Sequence, residues 1–188
     1  IPPCDPFEFV PELDLFSNLK CTNFDHLSVD ANWVSNKQAL DILNDTIGVN
    51  VRIKPDTPQL QNLLRTLKIL VKHSHFVVSS GSIRVIGRLA VGLRENFSIC
   101  NELQQFRLIV GRLKDKKLVE PISETLYCMV ASRALVLDKV VDELSCLVDS
   151  KKQPVPHARI AILNWLTRCV SEVDENCSPI SSKFKSAC

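Results

Sequence analysis

An all-α solenoid of antiparallel helix pairs is the fold class this sequence predicts, on three observations. A polar turn leading into a helix with an apolar seam recurs about every forty residues. It is seen at Lys37-Gln38-Ala39-Leu40-Asp41-Ile42-Leu43, Gly81-Ser82-Ile83-Arg84-Val85-Ile86, Pro121-Ile122-Ser123-Glu124-Thr125-Leu126 and Arg159-Ile160-Ala161-Ile162-Leu163-Asn164-Trp165-Leu166. The pairs Ala39-Leu40, Ser82-Ile83, Ser123-Glu124 and Ile162-Leu163 fall at matching places in successive units. Composition agrees: 45% of residues are hydrophobic, yet there are only five glycines and one tyrosine, too few for the turns of a sandwich or barrel. Finally, 188 residues can bury roughly 70% of their unfolded surface, enough for one continuous core.

The elements follow in order. Residues 1–29 form a lead-in, which opens on Ile1-Pro2-Pro3-Cys4-Asp5-Pro6 and is expected to be extended, because proline lacks the amide donor and restricts its predecessor. Phe7, Phe9, Val10, Leu13, Leu15 and Phe16 are too apolar for a bare linker and are expected to pack along the first repeat. A solenoid over 30–175 comes next. Its first helix is expected to reach Gly48, with Asp30 or Asn32 as cap and Ala39, Leu40, Ile42, Leu43 and Ile47 on one stripe.

Pro55 and Pro58 mark a turn, and Thr57-Pro58 reads as cap plus first helical position of a helix over 58–72, striped by Leu60, Leu63, Leu64, Leu67 and Val71. The turn His73-Ser74-His75 precedes a helix over 76–95, in which Gly81, Gly87 and Gly92 are expected to allow close helix approach. The third unit pairs 98–113 with 118–132 across Leu113-Lys114-Asp115-Lys116-Lys117, and the fourth pairs 134–148 with 156–173 across Asp149-Ser150-Lys151-Lys152-Gln153-Pro154-Val155-Pro156. Residues 176–188 are a polar segment. Repeats of this length built from helix pairs are of HEAT type, and their intra-pair turns emerge along one edge. Trp33, Ser74, His75, Phe76 and several lysines lie in those turns.

Charge and motif content narrow the function. Twenty-three basic and 21 acidic residues leave a net charge of +2, unlike the footprint of a nucleic-acid binder. The eight cysteines contain no C-x-x-C pair and read as reduced, structural thiols of a cytosolic protein. His73 and His75 have no carboxylate or cysteine at ligand spacing, so no metal is expected. No nucleophile elbow and no phosphate-binding glycine loop is present, so neither an enzyme nor a cofactor is expected. No run approaches the roughly 18–20 apolar residues that span a bilayer, and no signal segment opens the chain. The start at Ile1 and the polar end read as a fragment excised from a longer protein.

Four segments resemble the TOG domain, the tubulin-binding HEAT module of microtubule polymerases and the related CLASP rescue factors. Asn32-Trp33-Val34-Ser35-Asn36-Lys37-Gln38-Ala39-Leu40 resembles the family's opening loop. Ser74-His75-Phe76-Val77-Val78 with Ile86 through Phe97 resembles the second loop and helix, Leu113-Lys114-Asp115-Lys116-Lys117 the third loop, and Pro156-His157-Ala158-Arg159 with Asn164-Trp165-Leu166 the fourth. The chain departs from the family at His73-Ser74-His75, at Asn36 and at Val155, and it accounts for about four of the family's six repeats.

The nearest likeness is to an internal TOG domain of the spindle-pole and centrosomal polymerase group, with its nematode member as a candidate. The resemblance implies that intra-repeat loops grip αβ-tubulin, the tryptophan loop touching β-tubulin and the later basic loops touching α-tubulin. It implies a cytoplasmic protein of the cytoskeleton that acts at spindle poles and centrosomes and promotes microtubule growth. The tubulin-facing residues it implies are Trp33, Val34, Ser74, His75, Phe76, Lys116, Lys117, Pro156, His157 and Arg159. The rival expectation is an adaptor or structural HEAT module that binds a regulatory protein or the lattice; a helical-repeat RNA or DNA binder would show steep salt dependence. Trp165, on a buried seam, reads as core.

Overall fold

The computed structural model describes residues 6–22, 24, 25, 32–48, 51–149, 151 and 155–175. Its helices form two layers. One layer is a stack of α2 (Trp33–Ile47), α4 (Phe76–Leu93), α6 (Val119–Ala131) and α8 (Pro156–Glu175), each packed on the next. The other is made of their partners: α1 (Leu15–Leu19), α3 (Thr57–Val71), α5 (Glu102–Val110) and α7 (Val141–Val148). This is the solenoid of helix pairs that the repeat predicts.

The stack exists because each helix buries an apolar stripe at 3–4 residue spacing. Ala39, Leu40, Leu43 and Ile47 supply the stripe of α2, and Ala158, Ala161, Ile162, Trp165 and Cys169 that of α8. The central helix α4 lies between α2, α3 and α6 and is buried on most of its circumference, including Ser79, Ser80 and Ser82. Two of these hydroxyls are satisfied by backbone carbonyls: Ser79 Oγ donates to that of Val71 at 2.7 Å and Ser82 Oγ to that of Val78 at 2.7 Å. The expectation that no segment is apolar enough to cross a membrane fails at Phe76–Cys100, which passes by length and composition. The physical reason is its central place: 67% of that apolar window is buried in the protein.

Two glycines of α4 admit close neighbours, Gly87 within the stack and Gly92 outside it. A Cβ at Gly87 would meet Thr125 Cγ2 at 3.1 Å, and Thr125 Oγ1 donates across the same seam to the Ile83 carbonyl at 3.2 Å. At Gly92 a Cβ would stand 2.6 Å from Ile53 Cδ1 and 3.1 Å from the Val51 carbonyl oxygen. Close approach therefore explains both positions. Arg88 fastens the other end of the α2/α4 seam, donating through Nη1 to the carbonyls of Asn44 at 3.1 Å and Gly48 at 3.4 Å, at the C-terminal end of α2 where the helix dipole favours a cation.

Several boundaries differ from expectation. Asp56, not Thr57, caps α3: its Oδ1 accepts from Gln59 N at 3.3 Å while Gln59 Nε2 donates back to Oδ2 at 2.9 Å. The helix expected from 98 begins at Glu102, because Arg94–Cys100 winds as a 3-10 turn and Asn101 is left-handed, with φ 55. Asn101 then caps α5, its Oδ1 accepting from Gln104 N at 3.2 Å. The helix expected over 134–148 is likewise shortened to α7, behind a 3-10 turn at Leu137–Val140.

The lead-in, expected to be extended, contains a 3-10 turn at Pro6–Phe9, a two-residue strand β1 (Glu12–Leu13) and helix α1. β1 pairs in parallel with β2 (Arg52–Ile53), Leu15 and Leu19 are buried, and the Arg94 guanidinium lies over the Phe7 ring at 3.8 Å. Asp14 caps α1 by accepting from Ser17 N at 3.0 Å; this hydrogen bond holds its carboxyl below the usual carboxylate range. Cys100 is buried and its thiol is pushed up to about 11 by desolvation, so it behaves as a small apolar group. Asp30, His26, Cys4, Cys177, Cys188, Lys152, the polar segment 176–188 and half of the fourth turn lie outside the described residues.

One strained position yields a direct prediction. Arg133, exposed and just past the Ser132 cap of α6, has φ 61, where a side chain is disfavoured. Arg133→Gly is expected to raise stability by about 0.5–1 kcal/mol, read as an increased urea midpoint at unchanged slope.

Candidate functional site

The four helices of the stack run in the same direction, so their N-terminal ends share one edge. Two contacts across it fix the alignment. The Trp33 indole stacks on the His75 imidazole, with ring centroids 4.0 Å apart and planes 10° apart. His157 Nε2 lies 3.1 Å from the Leu113 carbonyl oxygen and donates to it, tying the start of α8 to the turn before α6.

Each of the four turns uses the same local device. A side-chain acceptor takes the backbone N–H two residues on: Asn32 Oδ1 from Val34 at 3.0 Å, His73 Nδ1 from His75 at 2.9 Å, Asp115 Oδ1 from Lys117 at 3.1 Å, and Asp149 Oδ1 from Lys151 at 2.8 Å. This is the Asx turn, favoured because a short carboxylate or amide mimics a backbone carbonyl. His73 fills the same role with an imidazole, which accepts at Nδ1 when its proton sits on Nε2. The sequence reading missed this repeat, although Asn, Asp and Asp at the matching places were its signal.

The edge has two chemically distinct ends. At one, Trp33, Val34, Phe76 and Val77 are all exposed, with 41% of the tryptophan open to solvent. Val77 belongs with the predicted residues here and was not foreseen. Phe76 and Val77 also border a groove of about 340 Å³ between α2 and α4, with Lys37, Asp41 and Arg84 along it. Toward the other end, Lys114, Lys116 and Lys117 are exposed in the third turn and Lys151 in the fourth.

The predicted residues do not all have the same standing on this edge. Ser74, Lys116, Lys117 and Pro156 are exposed at the turns. His75 and His157 are half-buried and spend part of their surface joining neighbouring turns. Arg159 is half-buried in the first turn of α8, its Nε buried without a hydrogen-bond partner among the described residues. Asn36, where the resembled family has arginine, is buried and faces the core. Trp165 is 3% exposed and tilts against Phe106, with centroids 6.3 Å apart, as a core residue does. Among the described residues no three His, Cys, Asp or Glu side chains cluster as metal ligands would.

The chain is 28% identical over 168 residues to Protein MOR1 of Arabidopsis thaliana and 29% identical over 168 residues to Protein MOR1 of Oryza sativa subsp. japonica. Each alignment covers 88% of this chain but 8% of the relative, so the chain corresponds to a small part of those proteins. No family model matches the sequence, and no solved structure matches it.

Proposed function

We propose that this chain is a tubulin-binding module of the TOG type, which grips the αβ-tubulin heterodimer with the four turns at the N-terminal ends of α2, α4, α6 and α8. The observation that carries the reading is the shared edge: four turns of one construction, apolar and aromatic at one end and lysine-rich at the other. Likeness to Protein MOR1 across 88% of the chain supports the same reading. Trp33, Val34, Ser74, His75 and Phe76 form the half that engages β-tubulin; Lys116, Lys117, Pro156, His157 and Arg159 form the half that engages α-tubulin. The parent protein, on this reading, is a cytoplasmic microtubule-associated protein that promotes growth at spindle poles and centrosomes, and the module makes and breaks no bonds.

Gel filtration of the chain with unpolymerised αβ-tubulin tests this, and a co-eluting complex at micromolar concentration is expected. Failure to bind at tens of micromolar, roughly −6 kcal/mol, overturns it. Lys116→Ala/Lys117→Ala is expected to weaken the complex and flatten its salt dependence, because exposed charges at an interface act through steering that salt screens.

A further inference from the structure

The Trp33–His75 stack joins side chains 42 positions apart in sequence, and neither ring is doing what its local sequence requires. Trp33 opens α2 but folds sideways onto the next turn instead of back along its own helix. His75 occupies the N-cap position of α4 yet makes no side-chain cap hydrogen bond, and its Nδ1 is buried without a partner among the described residues. Asparagine, aspartate or serine would serve a helix start better. The ring of His75 is therefore used against Trp33, and His73 steadies the turn by accepting the His75 N–H at 2.9 Å.

We propose that His75 is a positioning residue that clamps the Trp33 indole in one orientation on the edge, so that the first two turns present a single rigid aromatic surface to a protein partner. A half-exposed tryptophan left to itself samples several rotamers, and binding must then order it. A parallel ring 4.0 Å away removes that freedom beforehand. The part of this inference that concerns affinity rests on the tubulin reading above; the clamp itself does not.

Two substitutions separate the ring from the cap. His75→Asn gains a helix cap and loses the ring, whereas His75→Phe keeps a ring and discards the unpartnered Nδ1. Trp33 emission is isolated as the difference between each protein and its Trp33→Ala counterpart, which cancels Trp165, and is quenched with acrylamide. His75→Asn is expected to raise the Trp33 quenching constant about twofold while leaving the urea midpoint equal or higher; His75→Phe is expected to leave the quenching constant unchanged. Unchanged quenching in His75→Asn, or equal release in both variants, overturns the clamp whether or not tubulin binds.

With tubulin, His75→Asn is expected to weaken binding about two- to tenfold, and by less in the Trp33→Ala background, where only its own contact is lost. Released quenching with unchanged affinity overturns the positioning role. If the unsubstituted chain does not bind tubulin, the tubulin reading fails and the quenching result still decides the clamp.

Discussion

Trp33→Ala is expected to weaken the complex with unpolymerised αβ-tubulin by about thirtyfold or more, the effect of losing roughly 2 kcal/mol at an interface hot spot. The expectation follows from where the ring sits. It is 41% exposed, flat against His75, and flanked by exposed Val34, Phe76 and Val77, so it offers a large apolar surface at small entropic cost. Folding should be little disturbed, since the residue caps no core stripe. Titration followed by sedimentation velocity checks the affinity, and a urea midpoint close to that of the unsubstituted chain shows that the loss belongs to the interface.

Phe106→Ala is expected to cost about 3–5 kcal/mol of stability, a large share of what a domain of this size has. Phe106 is fully buried in α5 and meets Trp165 of α8, so it holds the third pair to the fourth. In a stack each unit is supported mainly by its neighbours, and the void would loosen the end of the solenoid first. Urea unfolding measures the loss. Ile69→Ala is the control: that side chain is 70% exposed on α3 and should change stability by no more than about 0.5 kcal/mol.

Much of this fold is legible in hydrophobic periodicity, and its misreadings have identifiable causes. The stripes of α2, α3 and α4 are long and regular, so both their existence and their buried faces could be read directly. The start of α5 was misread because Phe97 and Cys100 continue an apolar pattern through a 3-10 turn that ends only at the left-handed backbone of Asn101. Periodicity does not register a change of backbone hand. The same holds at Leu135, Leu137 and Val140 before α7, where buried residues sit on a turn and not on a helix. At α3, Asp56 and Thr57 are both competent caps, and it is the pair of hydrogen bonds from Gln59 to the Asp56 carboxylate that distinguishes them.

The edge was legible in part. An aromatic residue at a helix start and lysines in a turn are conspicuous in sequence, whereas the partners that bind these turns to each other are not. Nothing local to His75 points to Trp33, and nothing local to His157 points to the Leu113 carbonyl. Both contacts arise because successive pairs stack in register, which places residues about forty positions apart side by side.

Hydrogen–deuterium exchange of the chain with and without αβ-tubulin tests the central claim most directly. Protection is expected together at the four turns, residues 33–36, 74–78, 114–119 and 156–159. Binding that instead protects the opposite connections, 94–101 and 132–140, and leaves the four turns unchanged would contradict a tubulin-gripping edge.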